Sequence, residues 1–86
     1  MARYGFTSLQ SGPDWAAVPL ADGGPVRNVN VTHIAGGVAE MRMNGGDAVP
    51  VRPGGGFDRE MQASVTALEV RTQPGSDPAD LDIYTD

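Results

Sequence analysis

Four glycine clusters divide this chain into short segments, and they constrain the fold more than any other feature of the sequence. The clusters lie at positions 23–24, 36–37, 45–46 and 54–56. Their separation is close to the roughly 8–12 residues at which turns recur in antiparallel sandwiches and barrels. Glycine supports such turns because it reaches backbone conformations that other residues avoid. No window between the clusters shows a helical period longer than about two turns, so the pattern predicts an all-β protein.

The segment before the last glycine cluster illustrates the strand pattern. Val49 and Val51 flank Pro50, which cannot donate a hydrogen bond to a neighbouring strand. This strand therefore belongs at a sheet edge or is very brief. Pro53 and three glycines then turn the chain before the next alternating run, which begins at Phe57.

We expect a small antiparallel β-sandwich or barrel with about six or seven short strands. Six alternating segments carry this prediction, at 26–34, 38–43, 48–52, 57–61, 67–72 and 81–84. Their inward positions predict the core: Val29, Val31, Met41, Val51, Phe57, Met61, Leu68, Val70, Leu81 and Ile83.

The N-terminal region is less regular than the rest of the chain. Glycine and proline interrupt residues 1–25, so we interpret this region either as an irregular arm or as a first strand laid on the sheet. Residues 26–86 then form the β-sandwich domain. With 86 residues, the chain is near the small end of what folds unaided, and its core must be thin.

Charge and composition exclude several function classes. The formal net charge is −5, and all six basic residues are arginines. An acidic chain without a basic cluster is a poor candidate for binding nucleic acid. Arginine suits protein interfaces because its planar guanidinium keeps its charge when it is desolvated, although biased codon usage in a GC-rich genome would also explain the absence of lysine.

The sequence contains neither a membrane segment nor a cysteine-based site. No apolar run approaches the ~20 residues that span a bilayer, and the first residues show no signal-peptide hydrophobic region. We therefore expect a soluble protein that does not bind membranes. Since cysteine is absent, disulfides and thiolate metal sites are excluded.

Few residues offer catalytic chemistry. His33 is the only histidine, and no serine lies in a nucleophile-elbow motif. We interpret His33 as a half-buried, hydrogen-bonded strand residue, and we expect no enzyme activity, no metal and no cofactor. Four carboxylates near the C-terminus raise the alternative of a calcium site, but they lack the spacing of an EF-hand, and a solvated acidic tail is the simpler interpretation. They are Asp77, Asp80, Asp82 and Asp86.

Three segments carry a resemblance to a known group of proteins. They are Arg27-Asn28-Val29 followed by a strand, the run from Ala48 to Phe57, and Leu68-Glu69-Val70. Over about residues 26–84 the chain resembles the small β-sandwich virion proteins of tailed bacteriophages, including capsid decoration (cement) proteins. The resemblance implies a non-enzymatic protein that is made in the host cytoplasm, binds the outer surface of the major capsid protein lattice and stabilises it. It also implies a homotrimer, since such proteins often sit on three-fold positions.

The N-terminal region supplies most of the predicted partner contacts. As an arm, it would dock through its aromatic side chains and an arginine; together with one arginine from the later turn, these residues are Arg3, Tyr4, Phe6, Trp15 and Arg52. If the region is instead a strand of the sandwich, we expect docking on the loops at 35–37, 44–47 and 53–56. The alternative functions are a phage tail, neck or fibre component, a carbohydrate-binding module that uses Trp15 and Tyr84, and a small metal-dependent enzyme.

Overall fold

The computed structural model describes residues 5–86, except for the side chains of Gln62 and Ala63. In this part of the chain eight strands follow one another, with one turn of 3₁₀ helix at Ala21–Gly23. All six predicted strands occur, although those at 57–61 and 81–84 are longer than expected. The strands are β1 (Gly5–Gln10), β2 (Ala16–Ala17), β3 (Val26–Gly36), β4 (Ala39–Met43), β5 (Val49–Val51), β6 (Gly56–Val65), β7 (Leu68–Thr72) and β8 (Ala79–Thr85).

The strands form two four-stranded sheets. The first sheet has the order β1-β8-β3-β6 and the second has the order β2-β7-β4-β5. Every strand pairing is antiparallel. The prediction of an all-β fold is confirmed, and the two packed sheets are consistent with a small β-sandwich. No helix in the described part of the chain has the length and apolar character that crossing a membrane requires.

Inward-pointing side chains of both sheets form one core. Phe57 and Met61 pack against it but are only partly buried, because β6 lies at the edge of its sheet. The other eight predicted core residues are buried: Val29, Val31, Met41, Val51, Leu68, Val70, Leu81 and Ile83. The core also contains buried residues that the alternation did not single out: Val18, Ala21, Val26, Ala39, Val65 and Ala79.

The described part of the N-terminal region belongs to the sandwich. β1 pairs with β8 over six residues and β2 pairs with β7, so the region contributes a strand to each sheet. The Val18 amide donates to the Leu68 carbonyl at 2.8 Å. Of the two alternatives for residues 1–25, an irregular arm or a first strand, residues 5–10 therefore form a strand. The total is eight strands rather than six or seven because β1 and β2 lie in this region.

Gly36 allows the chain to pass from the first sheet to the second. Its φ is +95°, in the left-handed region that favours glycine. A Cβ atom at this position would collide with the carbonyl oxygen of Pro78, next to the point where β3 pairs with the start of β8. A larger residue would push these two strands apart, so the close approach requires glycine.

Candidate binding surfaces

The outward side chains of the second sheet form a charged surface, which we call the Trp15 face. Strand alternation places the charged residues there, because they alternate in β4 and β7 with buried Met41 and Val70. The Trp15 face consists of Trp15, Glu40, Arg42, Glu69 and Arg71.

Two ion pairs connect β4 and β7 on the Trp15 face. Glu40 lies opposite Arg71 in the strand register, and Arg42 lies opposite Glu69. In each pair the arginine Nε donates to a glutamate Oε1 at 2.8 Å. Because the side chains keep between 15% and 30% of their accessible surface, each pair contributes at most about 1 kcal/mol to stability.

The Trp15 ring lies against both guanidinium groups. The Cζ atom of Arg42 is 4.3 Å from the ring centroid, and that of Arg71 is 4.6 Å away. At these distances the negative face of the ring attracts a cation. Each arginine therefore contacts an aromatic ring and a carboxylate at once, and the charges of this surface compensate one another.

Arg42 also affects the titration of its partner. Its hydrogen bond, with a smaller contribution from its positive charge, holds the pKa of Glu69 below the ordinary value of 4.5. Loss of hydration acts in the opposite direction without cancelling this effect. The Glu69 carboxylate is therefore ionised at neutral pH and keeps its ion pair in mild acid.

The outward side of the first sheet, which we call the Tyr84 face, has a different character. Among the described residues, the three exposed large hydrophobic side chains are all on this sheet: Phe6 (48% exposed), Ile34 (55%) and Tyr84 (46%). Phe6 lies opposite Tyr84 in the register, with the ring centroids 4.6 Å apart and the rings inclined by 45°. Exposed apolar groups gathered on one side of a domain are typical of a surface that binds another molecule.

Amides and carboxylates surround this aromatic pair. Tyr84 lies opposite Asn30 of β3, and Asn30 lies opposite Asp58 of β6. The next outward position of β8 is Asp82, whose Oδ1 accepts a hydrogen bond from the Ser8 hydroxyl at 2.6 Å. The Tyr84 face thus combines aromatic rings with groups that accept hydrogen bonds and carry negative charge.

A groove of about 390 Å³ runs beside Tyr84. At one end Asn28 Nδ2 donates to Asp86 Oδ1 at 2.5 Å. Arg27 lies in the β-bulge next to Asn28 but outside the groove lining. The described residues that line the groove include two carboxylates and no basic side chain: Asn28, Val29, Asn30, Asp58, Tyr84, Thr85 and Asp86. The groove is therefore acidic and has one aromatic wall.

The structure separates the predicted partner-binding residues. Arg3 and Tyr4 lie outside the described residues. Phe6 is on the Tyr84 face, Trp15 is on the Trp15 face, and Arg52 follows β5, where its carbonyl accepts the Gly55 amide of the turn at 2.9 Å. The residues that we grouped into one docking segment therefore do not share one surface.

The predicted sugar platform of Trp15 and Tyr84 is wrong. Tyr84 points outward from the first sheet, between buried Ile83 and Thr85, whereas Trp15 lies over Arg42 and Arg71 on the outer side of the second sheet. The core separates the two rings, so one ligand cannot stack on both.

His33 and the C-terminal carboxylates occupy ordinary positions in the fold. The carbonyl of Gly37 lies 2.6 Å from His33 Nε2, and since a carbonyl only accepts, this nitrogen carries the proton. His33 is half-buried, as the sequence predicted. Asp80 and Asp82 are in β8, whereas Asp77 is in the preceding loop. Among residues 5–86, no group of three or more histidine, cysteine or acidic side chains is arranged to hold a metal ion.

A second cleft, of about 550 Å³, lies between β6 and the turn that follows β4. Met43 and Met61 form part of its apolar wall, and charges of both signs surround it, including Asp47 and Arg59. The Arg59 guanidinium is also 5.3 Å from the Phe57 ring. The sequence pattern gave no sign of this cleft, because it depends on how far an edge strand extends beyond the opposite sheet.

The sequence analysis missed the residues that define both surfaces. Arg42, Glu69 and Arg71 stood out only as outward positions, and Asn30 and Asp58 were not singled out for function. The available signal was the alternation of charge along β4 and β7, which indicates cross-strand pairing once the two strands are known to be neighbours. No protein-family model matches this chain, and neither a curated protein nor a solved structure matches it.

Proposed function

We propose that the protein is a non-enzymatic structural component of a phage particle, a capsid decoration protein that binds the outer surface of the major capsid protein lattice and stabilises it. One observation carries the proposal: the exposed aromatic and apolar side chains gather on the first sheet, whereas the other outer face is compensated by its own ion pairs. A domain with one unsatisfied face is suited to coating a larger surface. The resemblance of residues 26–84 to virion β-sandwich proteins supports the same role.

The chemistry of the described side chains favours binding over catalysis. His33 is held by the Gly37 carbonyl through Nε2, and the acidic groups are spread along a sheet face instead of converging in a cavity. The groove beside Tyr84 is open and lined partly by backbone. Such a groove fits a protruding side chain better than it encloses a substrate.

Self-association would strengthen attachment of so small a domain. Linked copies raise the effective concentration of each weak contact, and we therefore propose a homotrimer on the capsid exterior. Light scattering of the purified protein measures this state directly. A monomer at concentrations well above those in an infected cell would contradict the trimer without affecting the decoration role.

The composition of purified virions tests the function itself. We expect the chain in virions assembled from the genome that encodes it, in hundreds of copies by quantitative mass spectrometry. A handful of copies would instead assign it to a tail, neck or fibre. Absence from the virion would overturn the proposal.

A binding assay with particles gives an independent test. Purified protein should saturate undecorated particles at a fixed ratio to the major capsid protein, and decorated particles should resist heat better than bare ones. Saturation without any gain in heat resistance would argue against a stabilising role.

A further inference from the structure

We propose that the Tyr84 face binds an arginine-bearing surface of a partner protein, with a partner guanidinium seated in the groove between Tyr84 and Asp58. This inference rests on the proposed function and deepens it, because it identifies the docking face and the chemistry of the partner.

The Trp15 face provides a template for this contact within the same molecule. There, each guanidinium lies against an aromatic ring and pairs with a carboxylate: Arg42 contacts Trp15 and Glu69, and Arg71 contacts Trp15 and Glu40. The Tyr84 groove contains an aromatic ring and carboxylates, but none of its described lining residues is basic. Two of the three components are present, and a partner would supply the third.

The groove chemistry favours arginine over other cations. Tyr84 offers a ring that is 46% exposed, and the carboxylate of Asp58 projects from β6, two strands away in the register. A planar guanidinium can stack on a ring and bind a carboxylate through two parallel hydrogen bonds, whereas an ammonium group cannot make both contacts with the same geometry. The side-chain amide of Asn30, on the strand between them, adds a further acceptor.

The apolar part of the face points to a protein rather than to a free ion. Phe6 and Ile34 extend the exposed hydrophobic surface beyond the groove, and aromatic residues beside arginine contacts are typical of the centres of protein interfaces. A polyphosphate or nucleic acid would meet the carboxylates of this face with its own negative charge.

A second copy of this chain fits the face poorly. Two Tyr84 faces placed together would oppose carboxylates with carboxylates, and the arginines of the Trp15 face already have carboxylate partners. A flat sugar also fits poorly, because the Phe6 and Tyr84 rings are inclined by 45° and do not form one plane. Both remain outcomes of the test.

Binding to short basic peptides tests the recognition chemistry. The probes are an oligo-arginine and an oligo-lysine peptide of equal length, immobilised and presented to the full chain over a range of salt concentrations. We expect tighter binding to oligo-arginine, and about tenfold weaker binding after either Tyr84→Val or Asp58→Asn, since each removes a cation–π or charge-assisted contact. Asp14→Asn makes the same charge change at an exposed turn and should alter the affinity by less than about twofold, because its charge is remote from the groove.

Chemical-shift mapping locates the contact. Titration of the labelled protein with N-acetyl-arginine amide should move amide signals at 28–30, 58 and 84–86 and leave those around Trp15 unchanged. Thermal unfolding of each variant verifies that the fold is intact. Equal losses for Asp58→Asn and Asp14→Asn, or shifts centred on the Trp15 face, would overturn the proposal, as would Tyr84-dependent dimerisation or Tyr84-dependent binding on a glycan array in place of arginine binding.

Virion incorporation separates this inference from the proposed function. If the wild-type chain is absent from virions but binds oligo-arginine through Tyr84, the decoration role fails and the inference stands. If the Tyr84→Val variant folds and enters virions at the wild-type copy number, the docking face is wrong and the decoration role stands.

Discussion

The Trp15 face and the Tyr84 face are built by the same rule and end in different chemical states. On both, alternation turns every second side chain of an antiparallel sheet outward. On the Trp15 face the register places opposite charges across from each other, whereas on the Tyr84 face it places Tyr84 beside Asn30 and Asn30 beside Asp58. One surface therefore satisfies its charges within the molecule, and the other leaves carboxylates and aromatic rings facing solvent. The difference indicates that the first surface serves stability and the second serves binding.

The largest expected effect comes from removing residues that both faces share. Deleting residues 1–16 removes β1, with its six-residue pairing to β8, together with Trp15 and half of β2. We expect loss of the fold, because the cost is comparable to the roughly 5 kcal/mol that stabilises a domain of this size. Circular dichroism and thermal unfolding measure the result. A folded product with an unchanged melting temperature would show that the N-terminal strands are dispensable to the sandwich.

Single aromatic substitutions sharpen the contrast between the faces. Trp15→Ala should lower the free energy of unfolding by about 2 kcal/mol, because it removes a half-buried ring and two cation–π contacts. Tyr84→Ala should cost about 1 kcal/mol, roughly the value of one exposed aromatic pair. Urea unfolding measures both, and each kcal/mol corresponds to about 4–8 °C in melting temperature. If Tyr84→Ala is the more damaging change, the division into a stabilising and a binding surface is wrong.

Removal of charges should have opposite signs on the two faces. A double-mutant cycle on Arg71 and Glu40 should give a favourable coupling of about 0.5 kcal/mol, as expected of a partly exposed cross-strand pair. Asp58→Asn on the Tyr84 face should change stability by less than about 0.5 kcal/mol, in the stabilising direction, because it relieves repulsion between carboxylates. Equilibrium unfolding at low salt measures both. A destabilising Asp58→Asn would indicate a structural partner for this carboxylate.

The smallest expected effect concerns acid. The pKa of Glu69 is lower in the folded protein than its ordinary value of 4.5, so its ion pair stabilises the fold above that value. The contribution is lost as the pH falls through the lowered pKa. In Arg42→Ala we expect the pKa of Glu69, measured by NMR titration, to rise towards its ordinary value. No change in that variant would show that another group causes the shift.

Local sequence patterns accounted for much of the fold. Alternation located six strands and most of the core, and the residues after Met43 predicted a turn. Asn44 adopts a φ of +53° there, as expected of a residue type that tolerates this region. Its second role was not predictable, because its Oδ1 accepts the backbone amides of Thr66 and Ala67 at 2.8 and 3.1 Å. That contact joins positions more than twenty residues apart, and no local pattern encodes it.

The candidate surfaces were less predictable than the fold. Phe6 and Trp15 were recognised as exposed aromatic residues suited to binding, but the sequence grouped them in one segment. The structure places them on opposite sides of the core, because the chain between β1 and β2 crosses from one sheet to the other. The groove beside Tyr84 involves β3, β6 and β8, and its composition follows from strand order.

The sequence by itself determined where the chain turns, which segments are strands and which side chains share a face of each strand, because glycine conformations and the period of two are local properties. Only the tertiary structure decided which faces meet. β8 lies between β1 and β3, and β7 lies between β2 and β4, so Phe6 meets Tyr84 and Trp15 meets Arg42 and Arg71. Strand order and register depend on packing the whole core at once, and a shift of one residue would reverse every side chain. The physical basis of both binding surfaces therefore lies in long-range pairing that no single segment specifies.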